Sequence, residues 1–442
     1  MPSDSVLYTF YGDDFTGSTD VLEQLASNGI ASVLFLSEPT PEHRARFQNV
    51  EAIGIAGDSR SRSPEWMTKN LPRIFATLKS FHAPINHYKV CSTFDSSPTH
   101  GSIGRALELG CEVFHPSFVP IVVAAPHLGR YVAGGNLFAK APNGHVERID
   151  RHPMANHPVT PMREPDLRKH LAAQTRLPIG LVDLVALASP GIETELADQL
   201  QSGHQAILFD GEDDQSLATT GNLIWHHADR QPLFAAGSSG LTAALIPAWR
   251  KANLIPKAPP QSTRIGEPTP LLVVSGSCSP VTAGQIRWAL ANGFNGIAIE
   301  PRKLLTRSTT DVEQTNILTA ATASLATGQN TILYTAIGPA SVPAHGDKLG
   351  RILGQMLRKL LHTTNIRRIL LCGGDTSSHA MQQLGIYALT WIAPVQTGAP
   401  LCQAHSEDPN LNDLELVLKG GQVGTPGFFQ IAADPGTRIL AI

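Results

Sequence analysis

Charge is scarce in this 442-residue chain. Asp, Glu, Lys and Arg make up 16% of it and the formal net charge is −3, against about 25% charged residues in ordinary globular chains. No long run of like charge occurs. That excludes a nucleic-acid groove or a polybasic membrane patch, while leaving room for a small anion site built from a few Arg, Lys and backbone N–H groups. Cysteine is sparse too. Cys91, Cys111, Cys278, Cys372 and Cys402 are odd in number, scattered and without a C-x-x-C pair, which excludes a disulfide framework and a structural zinc site. No apolar run approaches the roughly 18 residues that span a bilayer. The start, Met1-Pro2-Ser3-Asp4, lacks the basic region of a signal peptide. A G-x-x-x-x-G-K-[ST] loop is missing. So is a G-x-G-x-x-G after the first strand, where Gly12-Asp13-Asp14 stands instead. A cytoplasmic protein with no nucleic-acid or membrane partner is expected.

What is present is apolar chain, 42% of the residues, enough for large cores in two or three domains. Short β-rich runs at 5–11, 31–36, 50–56, 88–91 and 119–125 alternate with helical patterns. One such pattern is Val21, Leu22, Leu25 and Ala26, stopped by Gly29. Residues 136 to 165 read as loop. The alternation resumes at 179–182, 206–210 and 233–236. A proline-rich stretch at 251–270, with Pro256, Pro259, Pro260, Pro268 and Pro270, marks a domain boundary. A second α/β series follows, with strands at 271–274, 331–336 and 369–372. Ser279 and Pro280 start a helix that Gly293 ends. This order predicts an α/β fold of two domains, 1–255 and 256–442, with mainly parallel sheets and an active-site cleft between the domains.

In parallel sheets ligands collect beyond the carboxyl ends of strands. In the first domain those ends are Gly12-Asp13-Asp14, Gly57-Asp58-Ser59-Arg60, Ser92-Thr93-Phe94-Asp95 and Pro126-His127-Leu128-Gly129-Arg130. Asp13 or Asp14 can bind a substrate hydroxyl or take its proton. Either can equally be an acidic helix start. Arg60 and Arg62 can grip a carboxylate in bidentate fashion, or be solvated loop residues. An Asp-x-Asp-x-Thr phosphatase motif is broken here, since Phe15 stands two positions after Asp13 and Thr16 two after Asp14. In the second domain Cys372-Gly373-Gly374-Asp375-Thr376-Ser377 carries a strand through two glycines into a helix, whose first N–H groups form a phosphate cradle. The same run can be an ordinary tight turn. Ser275-Gly276-Ser277-Cys278-Ser279 has the same form, and Lys419-Gly420-Gly421 is a third glycine cluster. His152 and His157 suggest a metal site, but the prolines around them forbid a helix face, and no metal ligand set is expected.

Together, Asp13-Asp14-Phe15-Thr16-Gly17, Asp58-Ser59-Arg60, Ser275-Gly276-Ser277-Cys278-Ser279, Gly373-Gly374-Asp375-Thr376 and Lys419-Gly420-Gly421 resemble the four-carbon acid sugar kinases over nearly the whole chain. The resemblance implies ATP-dependent phosphorylation of a hydroxyl on acids such as threonate, erythronate or 3-oxo-tetronate. It implies substrate on Asp14 and Arg60, and nucleotide on Ser277, the Gly373–Thr376 turn, Gly338 and Gly420. Asp14 is the expected catalytic residue; Asp13, Lys89 and Asp95 complete the expected substrate set, and Ser275 the nucleotide set. ATP and Mg²⁺ are the expected cofactors. Where the family shows Asp-Ser-Thr after its fourth strand, this chain has Cys91-Ser92-Thr93, with Asp95 later and no following arginine. Arg148-Ile149-Asp150-Arg151-His152-Pro153 is similar to a branch acting on 3-oxo-isoapionate. A non-catalytic sugar-acid-binding protein and a nicotinamide-dependent reductase are the alternatives. Oligomeric state is not legible.

Overall fold

The computed structural model describes residues 6–141, 144–156, 160–257, 269–338 and 346–435, and of Asp375 the backbone alone. His157, Pro259, Pro260 and Pro268 lie outside the described residues. The chain forms two compact units. The first holds 1–32 and 38–260, the second 33–37 and 261–442. No described helix is long and apolar enough to cross a membrane.

The first unit has a parallel sheet whose strands lie in the order Ala52–Ala56, Tyr8–Gly12, Ile85–Lys89, Leu233–Gly237, Val119–Val122, Ala206–Phe209 and Ile179–Val182. All but the last are buried along their length, which is why they read as short apolar runs rather than as alternation. Gly12 is in register with Ala56 and Lys89, and Lys89 with Gly237. The carboxyl ends of these four strands therefore make one row. From Tyr8–Gly12 the chain goes to one neighbour and then crosses to the other. The space beyond Gly12 and Lys89 is thus a topological switch point, where open α/β sheets bind ligands.

The stretch read as loop at 136–165 is in part sheet. Arg130–Ala133, Asn136–Lys140 and Val146–Arg148 form an antiparallel three-stranded sheet. Asp210 pins it, accepting from the N–H groups of Gly134 (2.6 Å) and Gly135 (2.9 Å).

In the second unit Asn295–Ala298, Thr331–Tyr334, Leu271–Ser275, Arg368–Cys372 and Glu415–Lys419 are parallel neighbours in that order. The sheet continues antiparallel through Ala399–Ser406 and Ile386–Gln396. It ends on the strand Ser32–Phe35, where Phe35 and Leu34 face Ala388 and Leu389. Ser275, Cys372 and Lys419 are in register. The switch point here lies between Ser275 and Cys372, since the chain runs to one side of Leu271–Ser275 before crossing to Arg368–Cys372.

Candidate active site

In the first unit the turn after Gly12 is tied down by backbone bonds from Asp13 N to Lys89 O (2.9 Å) and from Arg60 N to Asp13 O (3.1 Å). Asp14 is the N-cap of the helix Phe15–Ala26. Its Oδ1 accepts from Gly17 N at 2.8 Å and its Oδ2 from the Thr16 hydroxyl at 2.6 Å. Arg60 stands on the short turn Ser59–Ser61 and spans both carboxylates. Nε and Nη2 donate to Asp13 at 3.1 and 2.6 Å, and Nη1 and Nη2 to Asp14 at 3.0 Å each. Four of its five N–H groups are thereby used. Asp13 and Asp14 are 3% and 5% exposed, so this is a buried cluster of two carboxylates around one guanidinium, with the Lys89 ammonium close by.

Burial is the largest influence on Asp13. With the neighbouring Asp14 charge it outweighs the attraction of Arg60 and lifts the carboxyl to about 6. Burial opposes the charge on Arg60, but Asp13 and Asp14 hold it firmly protonated. Lys89 is buried, with Nζ donating to Val90 O at 2.8 Å. A methyl group on Gly17 would come 2.8 Å from that Nζ. A side chain at position 17 would push the ammonium away from the helix start beside Asp14. Asp95 follows a turn in which Phe94 takes a left-handed φ of 57°. It accepts from the hydroxyls of Thr93 (2.6 Å) and Thr160 (3.3 Å) and lies within electrostatic reach of Arg60. The expected substrate residues Asp13, Asp14, Arg60, Lys89 and Asp95 are thus gathered in one place. Arg60 stands bonded to its own aspartates. Arg62 is paired with Asp58. Thr16 and Gly17 belong to the motif Asp13–Gly17 but had no binding role assigned, and Thr160 had none either. Thr16 and Gly17 fit the N-cap pattern that could have found them; nothing local signals Thr160.

In the second unit three turns meet at the switch point. A methyl group on Gly276 would lie 2.2 Å from Thr376 Oγ1, and one on Gly421 would lie 3.1 Å from Ser277 Oγ. Gly373 has φ 102° and ψ 129° and leads directly into the helix Gly374–Met381. The hydroxyls of Ser275 and Ser377 are buried and have no hydrogen-bond partner among the described residues. Beneath the turns lies Lys419, 0% exposed. Its Nζ donates to Thr282 Oγ1 (3.1 Å) and Gly420 O (2.9 Å), and Thr282 Oγ1 donates to Gly421 O (3.0 Å). Burial depresses the pKa of this lysine. Ser275, Ser277, Gly373, Gly374, Thr376 and Gly420 thus share one edge. Gly338, with φ 111°, follows the neighbouring strand Thr331–Tyr334. Backbone turns, a helix start and orphaned hydroxyls fit a phosphate-bearing ligand. Among the described residues no group of three His, Cys, Asp or Glu could hold a metal ion.

Residues 8–245 match the model of a sugar-binding N-terminal domain and 272–429 that of a nucleotide-binding C-terminal domain. The chain belongs to the four-carbon acid sugar kinase family. A family member from Paraburkholderia graminis, a 3-oxo-isoapionate kinase, is 42% identical over 97% of this chain and 94% of its own. A 3-oxo-tetronate kinase from Pseudomonas savastanoi pv. phaseolicola is 31% identical over 94% of each chain. Among solved structures, a Salmonella typhimurium LT2 protein superposes with a TM-score of 0.76 at 23% identity, covering 98% of this chain and 100% of its own. A Haemophilus influenzae protein does so at 0.68 and 24%, covering 96% and 98%. These last two likenesses are of fold.

Proposed function

We propose that this chain is an ATP-dependent kinase that phosphorylates a hydroxyl of a small sugar acid of the 3-oxo-isoapionate or 3-oxo-tetronate class, with threonate and erythronate as related candidates. The domain 1–255 takes the acid and 256–442 the nucleotide. The observation that carries this reading is the buried Asp13–Asp14–Arg60 cluster at the switch point of a sugar-binding-type domain. Such a cluster offers carboxylate acceptors to hydroxyl groups. The phosphate-type cradle lies on the other domain.

ATP supplies the phosphoryl group. Mg²⁺ comes with its phosphates rather than in a cage of protein carboxylates. Ser277, the turn Gly373–Thr376, Gly420 and Gly338 hold the nucleotide, with Lys419 fixing the turns from below. Asp14 orients the attacking hydroxyl. As the new O–P bond forms and the bond to the leaving ADP oxygen breaks, the hydroxyl proton passes to the carboxylate pair. Asp13, lifted to about 6, is matched to accept a proton near neutrality, while Asp14 is held in place by Thr16, Gly17 and Arg60. Arg60 keeps both carboxylates in place through the step. Positioning and charge stabilisation supply most of the catalysis in such reactions.

Incubation with ATP and one such acid should yield ADP and a sugar-acid phosphomonoester in equal amounts, read by phosphorus NMR. ADP accompanied only by inorganic phosphate would refute the reading.

A further inference from the structure

The kinase reading requires a cation for the substrate's carboxylate; of the two expected, Arg60 has spent four N–H groups on Asp13 and Asp14, and Lys89 is buried against the helix start beside Asp14 with its Nζ donating to Val90 O. A substrate carboxylate placed there would also face two buried negative charges. Arg62 is paired with Asp58. Arg130 is differently placed. It opens the strand Arg130–Ala133 and follows the turn Pro126–Leu128. Its Nη1 donates to the carbonyls of Leu128 (2.9 Å) and Gly129 (3.1 Å), which anchor one corner of the guanidinium. Its Nε is buried, and among the described residues neither Nε nor Nη2 has a hydrogen-bond partner. Among the described residues no carboxylate pairs with it.

Its described neighbours do not supply the missing charge. Cys91 lies within electrostatic reach of both Arg130 and Arg60, which places the two arginines around one spot just past Lys89. Burial keeps the Cys91 thiol protonated. His152, the other buried neighbour, accepts the Met154 N–H at Nδ1 (3.2 Å). Burial and the Arg130 charge lower its pKa, so the imidazole stays neutral. A largely buried guanidinium with a free Nε–Nη2 edge and no counter-charge is built for an anion that arrives with the ligand.

We propose that Arg130 binds the carboxylate of the sugar-acid substrate, while Arg60 organises the aspartate pair. The proposal rests on the sugar-acid kinase reading. It makes Arg130 the residue that distinguishes an acid from the corresponding neutral sugar derivative. Arg130→Lys keeps a charge but loses the planar fork, and Arg130→Gln loses both.

The test is steady-state kinetics of the full chain with a sugar acid and with its neutral amide. Loss of a charge-assisted bidentate contact should raise the KM for the acid by roughly 10- to 100-fold in Arg130→Gln. The KM for ATP should stay within about twofold, Arg130→Lys should fall between, and the variants should no longer prefer acid over amide. A merely structural role would disturb acid, amide and ATP alike, and that outcome overturns the proposal. If Arg130→Gln does not fold, Arg130→Lys decides: a wild-type KM for the acid in that variant also overturns it. An active wild type with unaffected variants removes this inference alone. A wild type that phosphorylates no acid removes the kinase reading and the inference with it.

Discussion

Replacing Asp14 by asparagine takes one negative charge from a cluster in which two carboxylates share one guanidinium. The structure says what is kept. Oδ1 of the asparagine can still accept from Gly17 N and Arg60 Nη2, the partners of the native Oδ1, and asparagine is a good N-cap. Its Nδ2 then faces the Thr16 hydroxyl, which can rotate to accept, and Arg60 Nη1, which cannot. One charge-assisted bond is lost, worth about 1.5–3 kcal/mol. Part of that is returned, because Asp14 is one of the causes that raise Asp13. A net loss of about 1 kcal/mol lowers Tm by about 2–4 °C in a domain of this size. Catalysis should suffer far more. Loss of the group that orients or deprotonates the hydroxyl should cut kcat by roughly 10² to 10⁴, or about 2.7–5.4 kcal/mol at 1.36 kcal/mol per decade.

The assay is coupled ADP release across pH, with denaturation as the control. In the wild type, activity should fall as pH drops through about 6, where Asp13 takes up its proton. In Asp14→Asn the residual activity should have its acid limb at lower pH, because the neighbouring charge that raises Asp13 is gone. Asp13→Asn is the companion variant: it removes the proposed proton acceptor, so kcat should also fall and the acid limb near pH 6 should disappear. Loss of activity in Asp13→Asn alone would leave the site standing with the other carboxylate in the role. Full kcat in both variants would reduce the pair to a helix-start feature and refute the mechanism.

Arg60→Lys cannot bridge two carboxylates, and kcat/KM for the acid should drop roughly tenfold or more with the KM for ATP little changed; equal damage to both substrates would place Arg60 elsewhere. Gly373→Ala puts a side chain at φ 102°, a strain of about 1–3 kcal/mol; calorimetry should show weaker ADP binding, and wild-type affinity would count against a nucleotide role for the turn. Lys419 has a folded pKa below its unfolded value, so wild-type stability should rise with pH as the ammonium deprotonates. Lys419→Met should remove that rise in alkaline denaturation curves, and a rise that persists would assign it to another group.

The fold was legible where strands are buried on both faces. Tyr8–Gly12, Ala52–Ala56 and Leu271–Ser275 are apolar runs ended by glycine or serine turns, and they stand where the runs predict. Asn136–Lys140 escaped because only alternate residues are buried and glycine, asparagine and proline surround it. The hairpin Ile386–Gln396 with Ala399–Ser406 escaped because bulges interrupt its register and so blur a period of two. Strand-end chemistry marked Asp13, Asp14, Arg60 and Asp95 as candidates. Which group binds which was not legible. That Arg60 is spent on its own aspartates, and that Lys419 sits beneath the glycine turns, follow from pairings 46 to 137 residues apart in the chain, which no local pattern encodes.

The most direct test of the central claim is ATP turnover by the full chain, coupled to ADP detection, with 3-oxo-isoapionate, 3-oxo-tetronate, threonate and erythronate offered singly. At least one acid should raise turnover roughly tenfold or more over the acid-free rate, as expected when the acid supplies the acceptor hydroxyl, and Asp14→Asn should cut that stimulated rate by roughly 10² or more. Turnover unchanged by every acid, in a folded protein that binds ADP, would contradict the claim.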